Sequence, residues 1–242
     1  MSNILEEVKR RIIGKPHQPD SAILRVENLC KDYKGPHGIL KILRGVDFEA
    51  AEGEMIFIYG RSGSGKSTLL QLLGGLDSVT SGSVRFRGSD IAKFNEQKIC
   101  DYRNKKVGFV FQFFHLLPEL TLFENVMLPG IISKKVNKKR VEELLDRVGL
   151  IDRKDHYPSQ LSGGEGQRTA IARALANNPD IVLCDEPTGN LDEETAHEVF
   201  ELLLELNKEE KKTFLIVTHE AGLIKKAKTV YHLQEGILQK TN

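Results

Sequence analysis

The fold of this chain is decided by the stretch Gly60-Arg61-Ser62-Gly63-Ser64-Gly65-Lys66-Ser67-Thr68. It has the glycine, lysine and hydroxyl spacing of a phosphate-binding loop, and it follows an apolar, strand-like run at residues 55–59. Glycines let backbone N–H groups turn toward phosphate oxygens, and the positive end of the following helix adds to their attraction. In this pattern Lys66 would reach the β- and γ-phosphates, and the Ser67 hydroxyl would hold Mg²⁺. The whole stretch is therefore predicted to bind a nucleotide.

A second anion-binding segment is predicted by the run Leu161-Ser162-Gly163-Gly164-Glu165-Gly166-Gln167-Arg168. Ser162, Gly163 and Gly164 would expose backbone N–H groups at the start of a helix that runs from Gln167 to about residue 177. One nucleotide has little use for two such segments from the same chain. The pair therefore indicates a nucleotide site that is shared between two subunits.

Four further features complete the pattern along the chain. They are Gln112, Cys184-Asp185-Glu186-Pro187, Asn190-Leu191-Asp192 and His219. Together with the two glycine-rich segments, their order resembles the nucleotide-binding domain of an ABC transporter, from residue 23 to about residue 238. The resemblance implies an ATPase with ATP and Mg²⁺ as its cofactors.

The resemblance also implies chemical roles for single residues. Glu186 would orient and deprotonate the attacking water, and His219 would donate a hydrogen bond to the γ-phosphate. Asp185 would hold Mg²⁺ together with Ser67, and Gln112 would contact the metal or the water in one arrangement and release it in another. Taken in isolation, each of these side chains would be an ordinary surface group, so the roles depend on the motif context.

Three features of the pattern are less specific. Tyr33 is expected in a loop after the first strand, where the family places an aromatic ring against adenine; simple surface packing is the alternative. The segment at 190–192 is expected to cross the interface between two copies. Gly166 departs from the family, which commonly has a bulkier polar residue there, and a glycine in the first helical turn costs up to ~1 kcal/mol relative to alanine.

Composition places the chain among ordinary globular proteins. Its 242 residues carry a net charge of +1, which gives no reason to expect a nucleic-acid surface. No apolar run approaches the ~20 residues that span a bilayer, and the N-terminus lacks the apolar core of a secretory signal, so we expect a cytoplasmic location. The three cysteines, at positions 30, 100 and 184, show no paired spacing, which disfavours a disulfide or zinc site.

Strand-like runs that alternate with helical patterns predict an α/β fold. Its P-loop NTPase core would have a mainly parallel sheet, with antiparallel strands on the N-terminal side and an inserted helical subdomain. The predicted divisions are an N-terminal extension at 1–22, the nucleotide-binding domain at 23–238, its helical subdomain at about 113–165, and a C-terminal tail at 239–242. Apolar residues at positions 4, 5, 8, 12 and 13 suggest a short amphipathic helix, for which a packed or frayed extension is favoured over membrane contact.

The predicted secondary structure can be stated by residue number. Strands are expected at 23–28, 46–51, 107–111, 181–184 and 214–217, and helices at 69–76, 138–148, 167–177 and 193–208, the last capped by Asp192.

Function follows from the shared site and from the absence of membrane spans. We expect two copies to meet head to tail as a homodimer, with ATP between them. Transport would then need separate integral membrane permease subunits, with a cytoplasmic helix near residues 112–128. The ATPase would be a peripheral protein on the cytoplasmic face of the inner membrane.

The subfamily is indicated by three short runs. They are Gly74-Gly75-Leu76-Asp77, Thr80-Ser81-Gly82 and Pro187-Thr188-Gly189-Asn190-Leu191-Asp192. These resemble the bacterial ATPases for lipoprotein release and for macrolide or peptide export, and lipoprotein release is the first choice. Macrolide or peptide export remains open, as does a cell-division or regulatory ATPase that acts on a membrane partner without transport.

Overall fold

The structure, a computed structural model, describes residues 22–36, 38–219 and 227–242. The amphipathic helix expected near the N-terminus lies outside these ranges. Within them, ten strands form two sheets. The strands are β1 (Ala22–Gly35), β2 (Gly38–Ala51), β3 (Met55–Tyr59), β4 (Ser81–Phe86), β5 (Ser89–Asp90), β6 (Val107–Val110), β7 (Ile181–Asp185), β8 (Thr213–Thr218), β9 (Thr229–Gln234) and β10 (Ile237–Lys240).

The larger sheet is mainly parallel, as the sequence predicts. Its order is β10-β9-β3-β8-β7-β6, and only the β9–β10 pair is antiparallel. Alternate residues of β3 and β8 enter two hydrophobic clusters on opposite faces: Ile56 and Leu215 in one, Phe57 and Phe214 in the other. Strands that are buried on both faces read as continuous apolar runs, which is why these segments were recognisable.

The smaller sheet is antiparallel, in the order β2-β1-β4-β5. Its first two strands have 14 residues each and are much longer than the predicted segments 23–28 and 46–51. Several register shifts interrupt their pairing, so the alternation of polar and apolar residues is broken. The prediction that Tyr33 lies in a loop is therefore wrong: Tyr33 is in β1 and pairs with Leu40 of β2.

Six α-helices occur in the described ranges. They are α1 (Lys66–Leu73), α2 (Glu96–Lys105), α3 (Leu122–Ile132), α4 (Lys138–Arg147), α5 (Gly163–Leu175) and α6 (Glu193–Glu210). None of them is long and apolar enough to cross a membrane. Between residues 113 and 165 the chain contains α3, α4 and the start of α5 but no strand, in agreement with the helical segment expected there.

Two helix starts show how capping fixes the boundaries. The Ser162 hydroxyl accepts a hydrogen bond from the Glu165 backbone N–H, and the Glu165 carboxylate accepts one from the Ser162 N–H. This capping box starts α5 at Gly163, so the predicted start at Gln167 is four residues late. Asp192 caps α6 as predicted, by accepting from the Thr195 N–H.

The C-terminal boundary of the sheet also differs from the expectation. Strand β10 continues past residue 238 to Lys240, and the Thr241 N–H donates to the Val230 carbonyl. The last residues therefore belong to the sheet edge, because their backbone groups have partners there.

Candidate nucleotide-binding site

The candidate site lies at one edge of the larger sheet. Strands β3, β8 and β7 are parallel neighbours, so their carboxyl ends meet at this edge. Gly60 follows β3, Glu186 follows β7 and His219 follows β8. The fold thus brings together residues that are more than 150 positions apart in the chain.

A cavity of about 510 Å³ opens at this edge. It is lined by Ile42, Ser62, Gly63, Gly65, Lys66, Ser67, Thr68, Gln112, Glu186 and His219. Nine of these ten residues were predicted from the sequence. Its size and mixed polar lining suit a nucleotide phosphate chain with part of the ribose.

The phosphate-binding loop has the backbone geometry that its glycines allow. Gly63 and Gly65 both have left-handed φ angles, of 78° and 103°. A Cβ atom on Gly65 would lie 3.0 Å from Leu43 Cδ2 and 3.1 Å from Ile42 Cγ2, so the glycine also permits close approach of β2. Gly65 is the N-cap of α1, which points the positive end of that helix at the cavity.

Lys66 is the buried cation of the site. Only 6% of the residue is exposed, and its ammonium donates to the Gly60 carbonyl at 2.9 Å and to the Arg61 carbonyl at 3.3 Å. The same nitrogen lies 3.3 Å from Glu186 Oε1. A buried ammonium needs partners of this kind, and a phosphate oxygen would be a further one.

The two adjacent carboxylates have different partners. Asp185 Oδ1 accepts a hydrogen bond from the Ser67 hydroxyl at 3.0 Å. Burial raises the pKa of Asp185, and the neighbouring charge of Glu186 adds to the rise. Glu186 has a left-handed φ of 47°, and its N–H donates to the Val217 carbonyl. This backbone turn separates the directions of the two side chains.

His219 lies next to Glu186 at the same edge of the sheet. Its Nδ1 atom lies 2.7 Å from Glu186 Oε2, and its backbone N–H donates to the same oxygen at 3.1 Å. More than half of the His219 side chain is exposed, whereas that of Glu186 is 13% exposed. The imidazole is therefore anchored on the carboxylate at one nitrogen and remains accessible from the cavity.

Gln112 is joined to the segment at 190–192. Its amide Nε2 donates to Asn190 Oδ1 at 3.1 Å, and Asn190 Nδ2 donates to the Gln112 carbonyl at 3.0 Å. The sequence gives no signal for this reciprocal pair, because 78 residues separate its members.

The oxygen groups near the cavity suit a magnesium ion. Ser67, Asp185 and Gln112 supply a hydroxyl, a carboxylate and an amide oxygen, which are hard ligands. Burial, and after it the charge of Glu186, raises the pKa of Asp185, and a cation beside this carboxylate would oppose the rise. Among the described residues, no group of three or more His, Cys, Asp or Glu side chains converges as a metal cage.

Ser162, Gly163 and Gly164 do not line the cavity of their own chain. Ser162 and Gly163 are exposed at the N-terminus of α5, where backbone N–H groups could meet an anion. That this segment serves a nucleotide held by another copy stays a prediction.

Tyr33 lies beside the cavity and not in its lining. Its hydroxyl donates to Asp77 Oδ2 at 2.6 Å, and its ring lies 4.7 Å from the Lys31 ammonium. The hydrogen bond to Asp77 is the main reason why the pKa of Tyr33 is raised, while contact with the Thr68 hydroxyl opposes the rise. Through Thr68 the tyrosine is connected to the phosphate-binding helix.

Sequence reasoning missed Ile42, which contributes an apolar wall to the cavity. Ile42 lies in β2, nine positions after Tyr33 and on the other strand of the hairpin. Its place in the site follows from strand pairing, which the interrupted alternation concealed.

Comparison with known proteins agrees with this geometry. The family described as ABC transporter matches residues 43–189, more than half of the chain. The chain belongs to the ABC transporter family. It is accordingly an ATP-binding subunit and an ATPase.

Two curated ABC proteins resemble the chain over nearly its whole length. The lipoprotein-releasing system ATP-binding protein LolD of Idiomarina loihiensis is 47% identical over 90% of the chain and 97% of its own length. The protein of the same description from Xanthomonas oryzae pv. oryzae is 46% identical over 97% of both.

Solved ABC structures have the same fold. A dimeric ATP-binding cassette in a post-hydrolysis state with ADP and Pi has a TM-score of 0.82 and 39% identity, covering 90% of this chain and 99% of that chain. The CbiO1 protein of Clostridium perfringens, part of an ABC transporter complex, has a TM-score of 0.81 and 31% identity, covering 92% and 89%. The α/β ABC cassette fold predicted from the sequence is confirmed.

Proposed function

We propose that the chain is the ATP-hydrolysing subunit of a bacterial lipoprotein-releasing ABC system. The observation that carries the proposal is the identity of 46–47% to two lipoprotein-releasing ATPases over at least 90% of the chain. The phosphate-binding loop, with Glu186 and His219 beside it at the sheet edge, supports the ATPase part of the proposal.

The geometry suggests how the site would hydrolyse ATP. Lys66 and the loop N–H groups would hold the β- and γ-phosphates against the N-terminus of α1. Glu186 would orient and deprotonate the attacking water, and His219 would hold that carboxylate in line. When bound, Mg²⁺ would neutralise charge on the phosphate oxygens, with Ser67, Asp185 and Gln112 as its protein contacts.

Glu186 would have to release the Lys66 ammonium before it could deprotonate the attacking water. Its Oε1 atom lies 3.3 Å from the Lys66 ammonium. Phosphate oxygens that bind Lys66 would compete for this ion pair and leave the carboxylate for water. ATP binding would thus prepare the base.

The second half of the site would come from another copy. Each chain presents one phosphate-binding loop and one exposed Ser162 segment, and similar cassettes form dimers. In a head-to-tail homodimer, Ser162, Gly163 and Gly164 of one copy would face the phosphates bound by the other. ATP would close the dimer and hydrolysis would open it.

A membrane partner would dock beside Gln112. Phe113 is 66% exposed and Leu117 is 46% exposed, so the segment after Gln112 offers apolar side chains to a partner. We place the cytoplasmic helix of an integral membrane permease subunit against residues 112–128. The ATPase would then be peripheral, on the cytoplasmic face of the inner membrane.

The test is to capture the membrane partner with a stalled enzyme. Tagged Glu186→Gln would be held with ATP and Mg²⁺, membranes would be solubilised gently, and co-purifying proteins would be identified by mass spectrometry. We expect a polytopic membrane subunit that releases lipoproteins from vesicles when it is combined with the wild-type chain.

Lys66→Ala is the matched control, because it removes the phosphate contact and should lower ATP-dependent recovery. Recovery of an export permease or a cell-division membrane protein would overturn the lipoprotein assignment. Recovery of soluble partners alone would overturn the membrane role.

A further inference from the structure

Gly166 leaves a notch in α5 that an aromatic ring fills. A Cβ atom at Gly166 would lie 2.6 Å from Phe114 Cδ2 and 2.8 Å from Phe114 Cε2. Real side chains do not approach so closely, so the ring occupies the place that any larger residue would need. Toward the start of the helix, a Cβ atom at Gly163 would meet the Cζ atom of the same ring at 4.0 Å. The departure from the family pattern at Gly166 therefore has a physical counterpart in Phe114.

Two polar side chains of α5 hold the backbone on either side of this ring. Arg173 donates to the Phe114 carbonyl at 2.7 Å and to the His115 carbonyl at 2.5 Å. Gln167 Nε2 donates to the Phe111 carbonyl at 3.3 Å. Burial disfavours the charged form of the Arg173 guanidinium and lowers its pKa. The hydrogen bonds to the two carbonyls offset this cost of burial. The segment 111–115 is thus fastened along α5 from both sides of Gln112.

The segment at 190–192 joins the same cluster. Asn190 exchanges two hydrogen bonds with Gln112, and Leu191 Cδ2 would lie 3.3 Å from a Cβ atom at Gly163. Gln112, Asn190 and the start of α5 are therefore connected by contacts within one chain. Phe114 belongs to the same set of contacts, because its side chain packs against α5.

We propose that Phe114, seated in the Gly166 notch, is a positioning residue that makes Gln112 and the Ser162 end of α5 move together. A shift of Gln112 that accompanies nucleotide binding would displace the N–H groups offered to the second copy. The inference rests on the proposed function, because it assigns Ser162, Gly163 and Gly164 to a nucleotide held by that copy. It adds a second connection, through Phe114, to the one that Asn190 and Leu191 make between Gln112 and the start of α5.

A thermal double-mutant cycle tests the contact itself. In an ordinary helix, Gly166→Ala would be stabilising and would raise Tm by about 2–4 °C. In the notch, the added methyl group collides with Phe114, so we expect Gly166→Ala to lower Tm in the wild-type background. In the Phe114→Ala background the collision is absent, so the same substitution should raise Tm. Phe113→Ala is the control background, since this neighbouring ring is 66% exposed; there, Gly166→Ala should lower Tm as in the wild type.

The functional readout separates positioning from a merely structural role. Affinity of the single chain for a fluorescent ATP analogue should stay within about twofold, because Phe114 does not line the cavity. The kcat for ATP should fall by about 2- to 30-fold in Phe114→Ala and in Gly166→Ala, the range of mutations that modulate coupling between sites. The double variant should be no slower than Phe114→Ala alone, because both changes break one contact. Phe114→Leu retains an apolar side chain, so its kcat should lie between those of Phe114→Ala and the wild type. This variant also controls for misfolding of Phe114→Ala.

Two results would overturn the inference. One is a rise in Tm for Gly166→Ala in every background. Helix propensity alone would then explain the effect of this substitution, and no collision with Phe114 would be needed. The other is multiplicative loss of kcat in the double variant, which would make the two residues independent. Failure of the proposed function would look different: Glu186→Gln would capture no lipoprotein-releasing membrane subunit, whereas the Tm cycle would still report the contact.

Discussion

At the scale of single residues, the turn at Glu186 organises the chemistry. Its left-handed backbone directs one carboxylate oxygen to Lys66 and the other to His219. Asp185, one residue earlier, bonds to Ser67 instead. Two adjacent acids can therefore serve different tasks, one at the metal and one at the water.

We predict that His219 contributes to the rate of ATP hydrolysis. His219→Ala should lower kcat by about 10²–10³, the range found when one donor to transition-state charge is removed. ATP affinity of the single chain should change little, because the loop and Lys66 supply most phosphate contacts. Steady-state ATPase assays with a separate binding titration would measure both quantities.

His197→Ala is the matched control, since this exposed histidine on α6 pairs only weakly with Glu201, at 3.7 Å. Equal kcat values for His219→Ala and the wild type would remove His219 from the mechanism.

Residues within contiguous motifs could be predicted, and residues that meet across the fold could not. Asp185 and Glu186 were recognisable because an apolar strand precedes them and a phosphate-binding loop stands upstream. Ile42, Asn190 as the partner of Gln112, and Phe114 as the partner of Gly166 depend on contacts between distant segments. A single sequence carries no signal for such pairs.

At the scale of elements, a cluster of ion pairs ties α4 to α6. Glu210, at the end of α6, accepts a hydrogen bond from Arg140 at 2.9 Å and also bonds to Arg147. Burial alone would raise the pKa of Glu210, but the hydrogen bond and charge of Arg140, together with Arg147, outweigh it and leave the pKa below its ordinary value. This cluster joins the predicted helical subdomain to the helix that follows β7.

The lowered pKa predicts a pH-dependent contribution to stability. Glu210→Gln should reduce the free energy of unfolding by about 1.5–3 kcal/mol at pH 7, as for hydrogen bonds to charged groups. Because the folded pKa is below the unfolded one, this contribution is present above about pH 4.5 and disappears as the pH falls through the folded pKa. Urea unfolding from pH 7 to pH 3.5 would show the two proteins converging at acid pH.

Glu205→Gln, exposed on the same helix, is the control and should have little effect at any pH. A difference between Glu210→Gln and the wild type that widens toward acid pH would contradict the assigned ion pairs.

Where the sequence predicted an element, its type was correct and its ends were less so; α2, α3, β4, β5, β9 and β10 were not predicted. Parallel strands buried on both faces, and amphipathic helices such as α4 and α6, follow from periodicity. The start of α5 was placed too late because the two glycines suggested a loop, whereas the capping box of Ser162 and Glu165 starts the helix before them. The length of β1 was underestimated because register shifts disturb its alternation.

At the scale of the whole molecule, the proposed dimer makes a prediction about mixed subunits. Lys66→Ala removes the phosphate cation, and Ser162→Arg blocks the segment offered to the other copy. Each variant alone should have less than about a tenth of the wild-type ATPase rate, because every composite site has one defect. Mixing equal amounts should restore up to about a quarter of the rate, since half of the dimers are mixed and each has one complete site.

The control for this experiment is a chain with both substitutions mixed with either single variant. Neither mixture can assemble a complete composite site, so neither should regain activity. Absence of recovery with the first pair, despite dimer formation, would contradict the head-to-tail arrangement.

The most direct test of the account is the mass of Glu186→Gln in solution, measured by light scattering with and without ATP. The account predicts that ATP converts particles near 27.2 kDa into dimers of twice that mass, because hydrolysis can no longer open them. Adding Ser162→Arg to the same chain should prevent the change. A protein that binds ATP, retains the single-chain mass and is unaffected by Ser162→Arg would contradict the shared nucleotide site.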